Sequence, residues 1–389
     1  MGNQHRSSTL VDHVVAGVAT TPQVIDLRSG GSSLDAAVSI YRTLHELAGG
    51  PFPQRQGLLE DDVLVSLRDE RTITGTLLDD AGRPVAVPVL TPVDVVSWYS
   101  EEFRRARFPE ALDAGASMWH LSTYPALPDD AFEELVLPAL RAAALDPGTL
   151  LFTDHAERDD DPSTHRLDSV LAKVGTEVQE LDLVLDGPAR EHYFAGRVTL
   201  VDPGRLLHDR DGIDLHHAYT ERSFIDELWK IYESPFVELA ELTPVRTYFT
   251  YDELTDALRH PGVTHVGLRV DGHLVSWMMQ TSDIASFPWI DPAAIRAAAP
   301  DVPAECVYII PGLVTDTEYQ GNHYADRLMV ELLHGGLSRG LEHLLVFETL
   351  DRNATFLPGL ITAVFAASGY GTVEFEPIGA QLYRSWRLS

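Results

Sequence analysis

The chain has 389 residues, 44% of them hydrophobic, with 59 acidic residues against 29 basic ones and a formal net charge of −30; this length accommodates two ordinary domains, each with its own core. So negative a surface repels DNA and tRNA, which argues against a nucleic-acid partner, and with no run of about 18 apolar residues and no apolar stretch after the first charges the sequence offers neither a membrane span nor a signal peptide, so a cytoplasmic protein is expected. Cys306 is the single cysteine, which excludes an internal disulfide and a cysteine-based metal cluster, and no metal is expected.

The elements alternate along the first half. "QVIDLR" reads as a strand, "SLDAAVSIYRTLHELA" as a helix, and "DVLVSLRDE" and "TITGTLLDDAGRPVAVPVLTPV" as strands, the latter turning at a polar Gly-containing stretch. "VVSWYSEEFRRARF" is helical. Then come "SMWHLSTY" as strand, "DDAFEELVLPALRAAAL" as helix, "TLLFTDH" as strand, "HRLDSVLAKVG" as helix, and "VQELDLVLD" and "YFAGRVTLVD" as two strands. "PGRLLHDRDGIDLHHAYTE" breaks the pattern and reads as a linker. Beyond it, "ERSFIDELWKIYESPFVELAEL" and "TYDELTDALRH" are helical, "HVGLRVDGHLVSWMMQ" is a hairpin turning at "DG", "CVYIIPGLV" a strand and "ADRLMVELLHGGLSRG" a helix. "HLLVFETL" is a strand, "GLITAVFAASG" a helix, and "TVEFEP" and "AQLYRSWRL" close the chain as strands. The two halves share one order of elements, with little residue identity. The division expected is a domain over 1–205, a linker over 206–218 and a domain over 219–389.

Chemistry concentrates where "CVYIIPGLV" runs through a polar loop into a helix. Gln320, Gly321, Asn322, His323, Tyr324 and Ala325 fit the pattern Gln/Arg-x-x-Gly-x-Gly/Ala except at His323. Unpaired N–H groups at a helix start bind an anion such as a pyrophosphate, aided by the helix dipole. With that loop, the hairpin "HVGLRVDGHLVSW", the strand "FETLDRN" ending at Asn353 and the helix ending "AASGYG", the second half resembles the GCN5-related N-acetyltransferase (GNAT) family from about Tyr219 to Leu388. The first half resembles it only in topology: at its loop position stands "PALPDD", without Gln, Arg or Gly, and the acidic helix start repels a pyrophosphate. The resemblance implies an α/β (α+β) fold of two tandem GNAT-like domains, each a mixed, mostly antiparallel, twisted sheet flanked by helices. The first is degenerate, with a structural or acceptor-shaping role.

The resemblance also implies acetyl-CoA or another acyl-CoA as co-substrate. Leu313, Val314 and Thr315 would offer backbone groups to the pantetheine arm where the fourth strand splays from the fifth, and Gln320 to Ala325 would hold the pyrophosphate. For the base it implies a carboxylate: Glu348 on the fifth strand and Glu305 at the start of the fourth are the candidates, with Glu318 in the loop itself. Asn353 ends the fifth strand. The family's general acid is a tyrosine on the fourth helix, but the position four before the Gly of "SGY" is Phe365, and counting forward from Asn353 reaches Leu360; Tyr324 and Tyr370 are the remaining phenols. His323 has two readings. Either only its backbone N–H matters, since a position just inside a helix needs no positive φ, or its imidazole touches a phosphate. The paired His216 and His217, and the carboxylates around His155, read as ordinary polar residues.

The expected function is acyl-CoA-dependent N-acyltransfer, in particular acetyl transfer, to a small-molecule amine. The alternative is a catalytically impaired GNAT-like scaffold or acyl-binding module, which the departures at His323 and Phe365 keep open. The charge disfavours aminoacyl-tRNA as acyl donor. The segment Ser282 to Glu305 is far longer than a tight inter-strand connection of about 2–5 residues and is expected to cover the acceptor pocket. The acceptor's identity and the oligomeric state are not legible here.

Overall fold

The computed structural model describes residues 37–38, 41, 60–78, 84–96, 99–122, 129–143, 145, 148–157, 169–170, 173, 183–200, 213–217, 221–242, 248–284, 292–336, 342–368 and 371–388. The chain forms two compact units, one of Met1–Gly50, Arg55–Ala189 and Gln381–Ser389, the other of Pro51–Gln54 and Arg190–Ala380. Both are α/β, built on mixed, mostly antiparallel sheets flanked by helices.

In the first unit, helix α1 (Glu60–Arg68) stands where the sequence reads as a strand. Val63, Val65 and Leu67 alternate like a strand, but Val63 and Leu67 are buried at helical spacing while Val65 is 52% exposed. Strands β1 (Ile73–Leu78) and β2 (Pro84–Pro92) pair antiparallel. Two short helices, α2 (Glu101–Arg107) and α3 (Pro109–Asp113), lead to β3 (Met118–Leu121), helix α4 (Asp129–Ala142) and β4 (Leu150–Glu157). Strand order is β1-β2-β3-β4, with β3 and β4 parallel. One core holds Val63, Leu67, Val89, Phe132, Leu135 and Trp386, and a second packs Tyr99, Phe103 and Phe108 around Phe152. Gly75 admits α4 closely: a Cβ there would lie 2.0 Å from Leu135.

Strand β5 (Leu183–Leu200) is one continuous strand where the sequence suggests two, and the division between units falls within it, at Ala189/Arg190. The segment read as a linker carries β6 (Ile213–His217), which pairs with β7. The second unit continues with α5 (Arg222–Ala240), α6 (Tyr251–Arg259), β7 (Val263–Val270), β8 (His273–Thr281), α7 (Pro292–Ala298), β9 (Val307–Thr315), α8 (Tyr324–Gly336), β10 (Glu342–Leu350), α9 (Asp351–Ala354), α10 (Leu357–Ser368) and β11 (Gly371–Leu388). Its strand order is β11-β5-β10-β9-β8-β7-β6, antiparallel in every described pair except β9 with β10. Asp271 and Gly272 both take positive φ, as a two-residue turn matched to strand twist requires. A capping box between Thr250 and Glu253 starts α6.

Two cores sandwich this sheet. Residues from α5, α6 and α7 pack on the face that carries Trp277, Ile309 and Val346, and residues from α8 and α10 pack on the face that carries Met278, Leu345 and Phe347. The strands are thus buried on both faces. With helices packed on both faces, a gap between strands offers a ligand a way to the middle of the sheet.

Candidate active site

Such a gap lies between β9 and β10. The two strands share only three rungs, Val307 with Leu344, Tyr308 with Leu345 and Ile309 with Val346. Beyond them β9 stays on β8 through Thr315 opposite Ser276, while β10 stays on β5 through Leu350 opposite Glu191. The sequence sets the parting point. Pro311 has no N–H for the ladder, the register of β8 against β9 shifts between Met279 and Thr281, and Gly312 gives room to the Trp277 ring, which would stand 2.8 Å from a Cβ.

A cavity of about 240 Å³ occupies the parting. Met278, Met329, Phe347 and Ile361 line it from the face that α8 and α10 cover, and Phe236 and Glu348 line it from the opposite face. One wall is therefore apolar, and the other carries charge. A second, smaller space is bounded by Tyr193, Ile295, Ile309 and Glu348, so α7 brings Ile295 next to Glu348. The insert that contains α7 is tied to β5 by a two-pronged ion pair, Arg197 to Asp301 at 2.8 and 2.9 Å. The Arg197 bond holds the Asp301 carboxyl below its ordinary range. Phe287 and Trp289, in the same insert, lie outside the described residues.

The loop after β9 is organised by its own side chains. Asp316 accepts from the Glu318 N–H at 3.0 Å, starting a short 3₁₀ turn, and Asn322 Nδ2 donates to the Tyr319 carbonyl at 3.0 Å. Gly321 has φ 81° and open space around it. His323 has φ 60°, which corrects the expectation that its position needs no positive φ. A side chain there costs about 1–2 kcal/mol, and this explains why glycine suits the position. The imidazole is 83% exposed, and its Nδ1 donates to Asp326 Oδ2 at 2.7 Å. Helix α8 starts at Tyr324, and its first N–H groups have no acceptor within the helix. Gln320 is exposed, Ala325 half-buried, and Tyr324 packs against Tyr319.

Of the anticipated residues, Glu348, Asn353 and Leu313 meet at the cavity. Val314 is turned into the core, its carbonyl accepting from Ser276 Oγ at 3.0 Å, and the Thr315 hydroxyl lies 2.8 Å from the same Oγ. Glu305 does not join them. It is exposed in the turn before β9, two residues ahead of the first rung, while Glu348 lies four residues beyond it; at about 3.3 Å per residue the strands keep the two roughly 20 Å apart. Phe365 is buried in the core and Leu360 is 46% exposed, so neither position considered for a general acid reaches the cavity, where α10 presents Leu357 and Ile361. Tyr370 lies outside the described residues. Glu191 was missed, and so was Tyr193. Both sit on β5, which sequence order assigns to the first half, and no motif marks them.

No protein-family model and no curated protein matches the sequence. Several solved structures are similar to it. A tandem GNAT protein from the clavulanic acid biosynthesis pathway shares 16% identity over 94% of this chain and 98% of its own, with a TM-score of 0.47. A GCN5-related N-acetyltransferase from Sphaerobacter thermophilus shares 11% identity over 95% and 96%, with a TM-score of 0.42. Another, from Kribbella flavida, shares 14% over 90% and 95%, with a TM-score of 0.33. Among the described residues no helix is long and apolar enough to cross a membrane. The fold assignment rests on the strand order and the parted parallel pair; among the solved structures to which the chain is similar are GNAT acetyltransferases and a tandem GNAT protein.

Proposed function

We propose that the second unit is an acyl-CoA-dependent N-acyltransferase, in particular an N-acetyltransferase, acting on a small amine at the parting of β9 and β10. The observation that carries this reading is the cavity between two parallel strands, apolar towards α8 and α10 and carboxylate-bearing on the opposite face. Acyl-CoA suits the apolar side. Where β10 leaves it, the edge of β9 keeps backbone groups outside the ladder, suited to the amides of a pantetheine arm. The open turn at Gly321 and the start of α8 suit its pyrophosphate.

The amine enters from the other face. Glu348 takes its proton, directly or through water, as the nitrogen lone pair attacks the thioester carbonyl carbon. Backbone N–H groups of the parted strand hold the resulting oxyanion. The carbonyl re-forms, the C–S bond breaks, and the departing thiolate takes a proton from water, since α10 offers only Leu357 and Ile361 at the cavity. A thiolate leaves readily, so the missing acid forfeits only part of the roughly 10²–10⁴-fold that such catalysis contributes.

A second reading, a scaffold that binds acyl-CoA without turnover, is favoured by Phe365, which is buried in the core where the family has a tyrosine, so that α10 brings no phenol to the cavity. Titration calorimetry with acetyl-CoA followed by a thiol-release assay over an amine panel separates the two. Binding with release supports the transferase, binding without release the scaffold, and absence of binding refutes both.

A further inference from the structure

The cavity at the parting is larger than an acetyl group needs. Its volume is about 240 Å³, whereas an apolar cavity of about 150 Å³ is enough to take up benzene. An acetyl thioester brings a single methyl group. Met278, Leu313, Met329, Phe347, Leu357 and Ile361 all line the cavity, and all belong to the core on the side of α8 and α10. Of these, Met278, Met329, Phe347 and Ile361 are at most 4% exposed, so packing holds the wall in place. Glu348 follows Phe347 on β10 and therefore projects to the opposite face. Two of the chain's five methionines stand in this wall, and an unbranched thioether side chain adapts to occupants of different length.

We propose that this wall forms an acyl pocket for a chain of about four carbons, so that the donor class is short-chain acyl-CoA, with butyryl-CoA bound more tightly than acetyl-CoA. The proposal rests on the acyl-CoA reading above, in either of its two forms. The amine approaches the thioester carbon from the Glu348 face, and the groups on that carbon bend away from the incoming nitrogen. The acyl chain is thus left with the opposite face, against Met278, Met329 and Ile361. Acetyl-CoA still enters, but its methyl group covers only part of this wall. Each further methylene moved from water into apolar contact gains about fourfold in affinity. The gain ends where the cavity does, because a longer chain has to displace packed side chains.

Titration calorimetry of the full chain with acetyl-, butyryl- and octanoyl-CoA tests this without an acceptor. Butyryl-CoA carries two more methylenes than acetyl-CoA and should bind about 10-fold more tightly, with octanoyl-CoA weaker than butyryl-CoA. Two substitutions at one position should move the optimum in opposite directions: Ile361→Phe narrows the pocket and shifts it to acetyl-CoA, and Ile361→Ala widens the pocket and shifts it to octanoyl-CoA. General damage to the fold weakens all three ligands and cannot produce opposite shifts; should either variant fail to fold, Met329→Phe and Met329→Ala take their place. A wild-type optimum at acetyl-CoA or octanoyl-CoA, or an optimum that does not move oppositely in the paired variants, would overturn the proposal and leave the acyl-CoA reading intact. If the wild type binds none of the three, that reading fails and the proposal with it.

Discussion

Among the described strand pairs each unit has one that is parallel, and the two end in different ways. In the second unit the last rung joins Ile309 to Val346; in the first it joins His120 to Phe152, again after three rungs. Two residues beyond the rung, each unit has a carboxylate, Glu348 in one and Asp154 in the other. In the first unit, His120 Nε2 donates to Asp154 Oδ1 at 2.7 Å, Gln381 Nε2 reaches the other oxygen at 3.3 Å, and the Tyr99 ring tilts against the imidazole at 5.6 Å. His120 and Gln381 are buried. In the second unit Ile309 has nothing to donate, and Glu348 faces the cavity. The carboxylate of one unit is thus bonded to the side chain at the rung, and that of the other lines a space large enough for a ligand.

The largest effect is expected at Glu348. Glu348→Gln should lower kcat/KM by about 10²–10⁴-fold with acetyl-CoA affinity unchanged by calorimetry; retained activity would mean that its position beyond the rung has no chemical consequence. The matching change in the first unit, Asp154→Ala, should reduce unfolding free energy in urea by about 1–3 kcal/mol, because it strips a buried imidazole of a hydrogen-bond partner. Acetyl-CoA binding should not change with it. Loss of that binding would erase the functional contrast between the units.

The loops sharpen the contrast. Gln320→Ala combined with Ala325→Glu puts a carboxylate at the start of α8 and should weaken acetyl-CoA binding about 10–100-fold, whereas substitutions at Asp129 and Asp130 in the first unit should leave it alone. Equal loss from both sets would refute a single CoA site. His323→Gly removes the cost of a left-handed side chain but gives up the Asp326 contact and adds backbone freedom to the unfolded chain, so a net gain of about 1 kcal/mol or less is expected from thermal melts. A loss would show that the contact with Asp326 outweighs the strain.

The smallest effect concerns Glu227 on α5. Burial pushes its carboxyl up, but bonds from Arg269 at 3.0 Å and from the Leu274 N–H at 2.8 Å pull it below its ordinary range. A depressed carboxyl contributes stability that is full above the unfolded pKa, near 4.3, and is lost as pH falls through the folded value. Because both partners are about a third exposed, solvent screening limits the contribution to about 1 kcal/mol. Glu227→Gln should flatten the acid limb of the stability curve below about pH 4.3. An unchanged limb would show that these bonds add nothing.

Local signals in the sequence carried the hairpin at Asp271 and Gly272, the loop before α8 and the strand bearing Glu348, because turn chemistry, helix starts and apolar runs depend on neighbouring residues. α1 was misread because Val63, Val65 and Leu67 fit both periods, and only burial decides between them. The lining of the candidate site was half legible. Glu348 and Asn353 follow from one strand and its end, but Glu305 looked equivalent because the sequence does not show where two strands part, which depends on the register of their outer neighbours. Glu191 and Tyr193 were out of reach for a related reason: they come to the cavity on β5, whose pairing with β10 spans about 150 residues of chain.

The last strand has a consequence for biosynthesis. Gln381–Ser389 belong to the first unit, and Trp386 is part of its core. The unit translated first therefore cannot be completed first. Between the appearance of Arg190 and that of Gln381 the ribosome adds about 190 residues, which at about 5–20 residues per second takes roughly 10–40 s. Through that interval the first core waits with a Trp-sized opening among its apolar side chains, a surface that a chaperone or a neighbouring nascent chain can find before the chain's own last strand does.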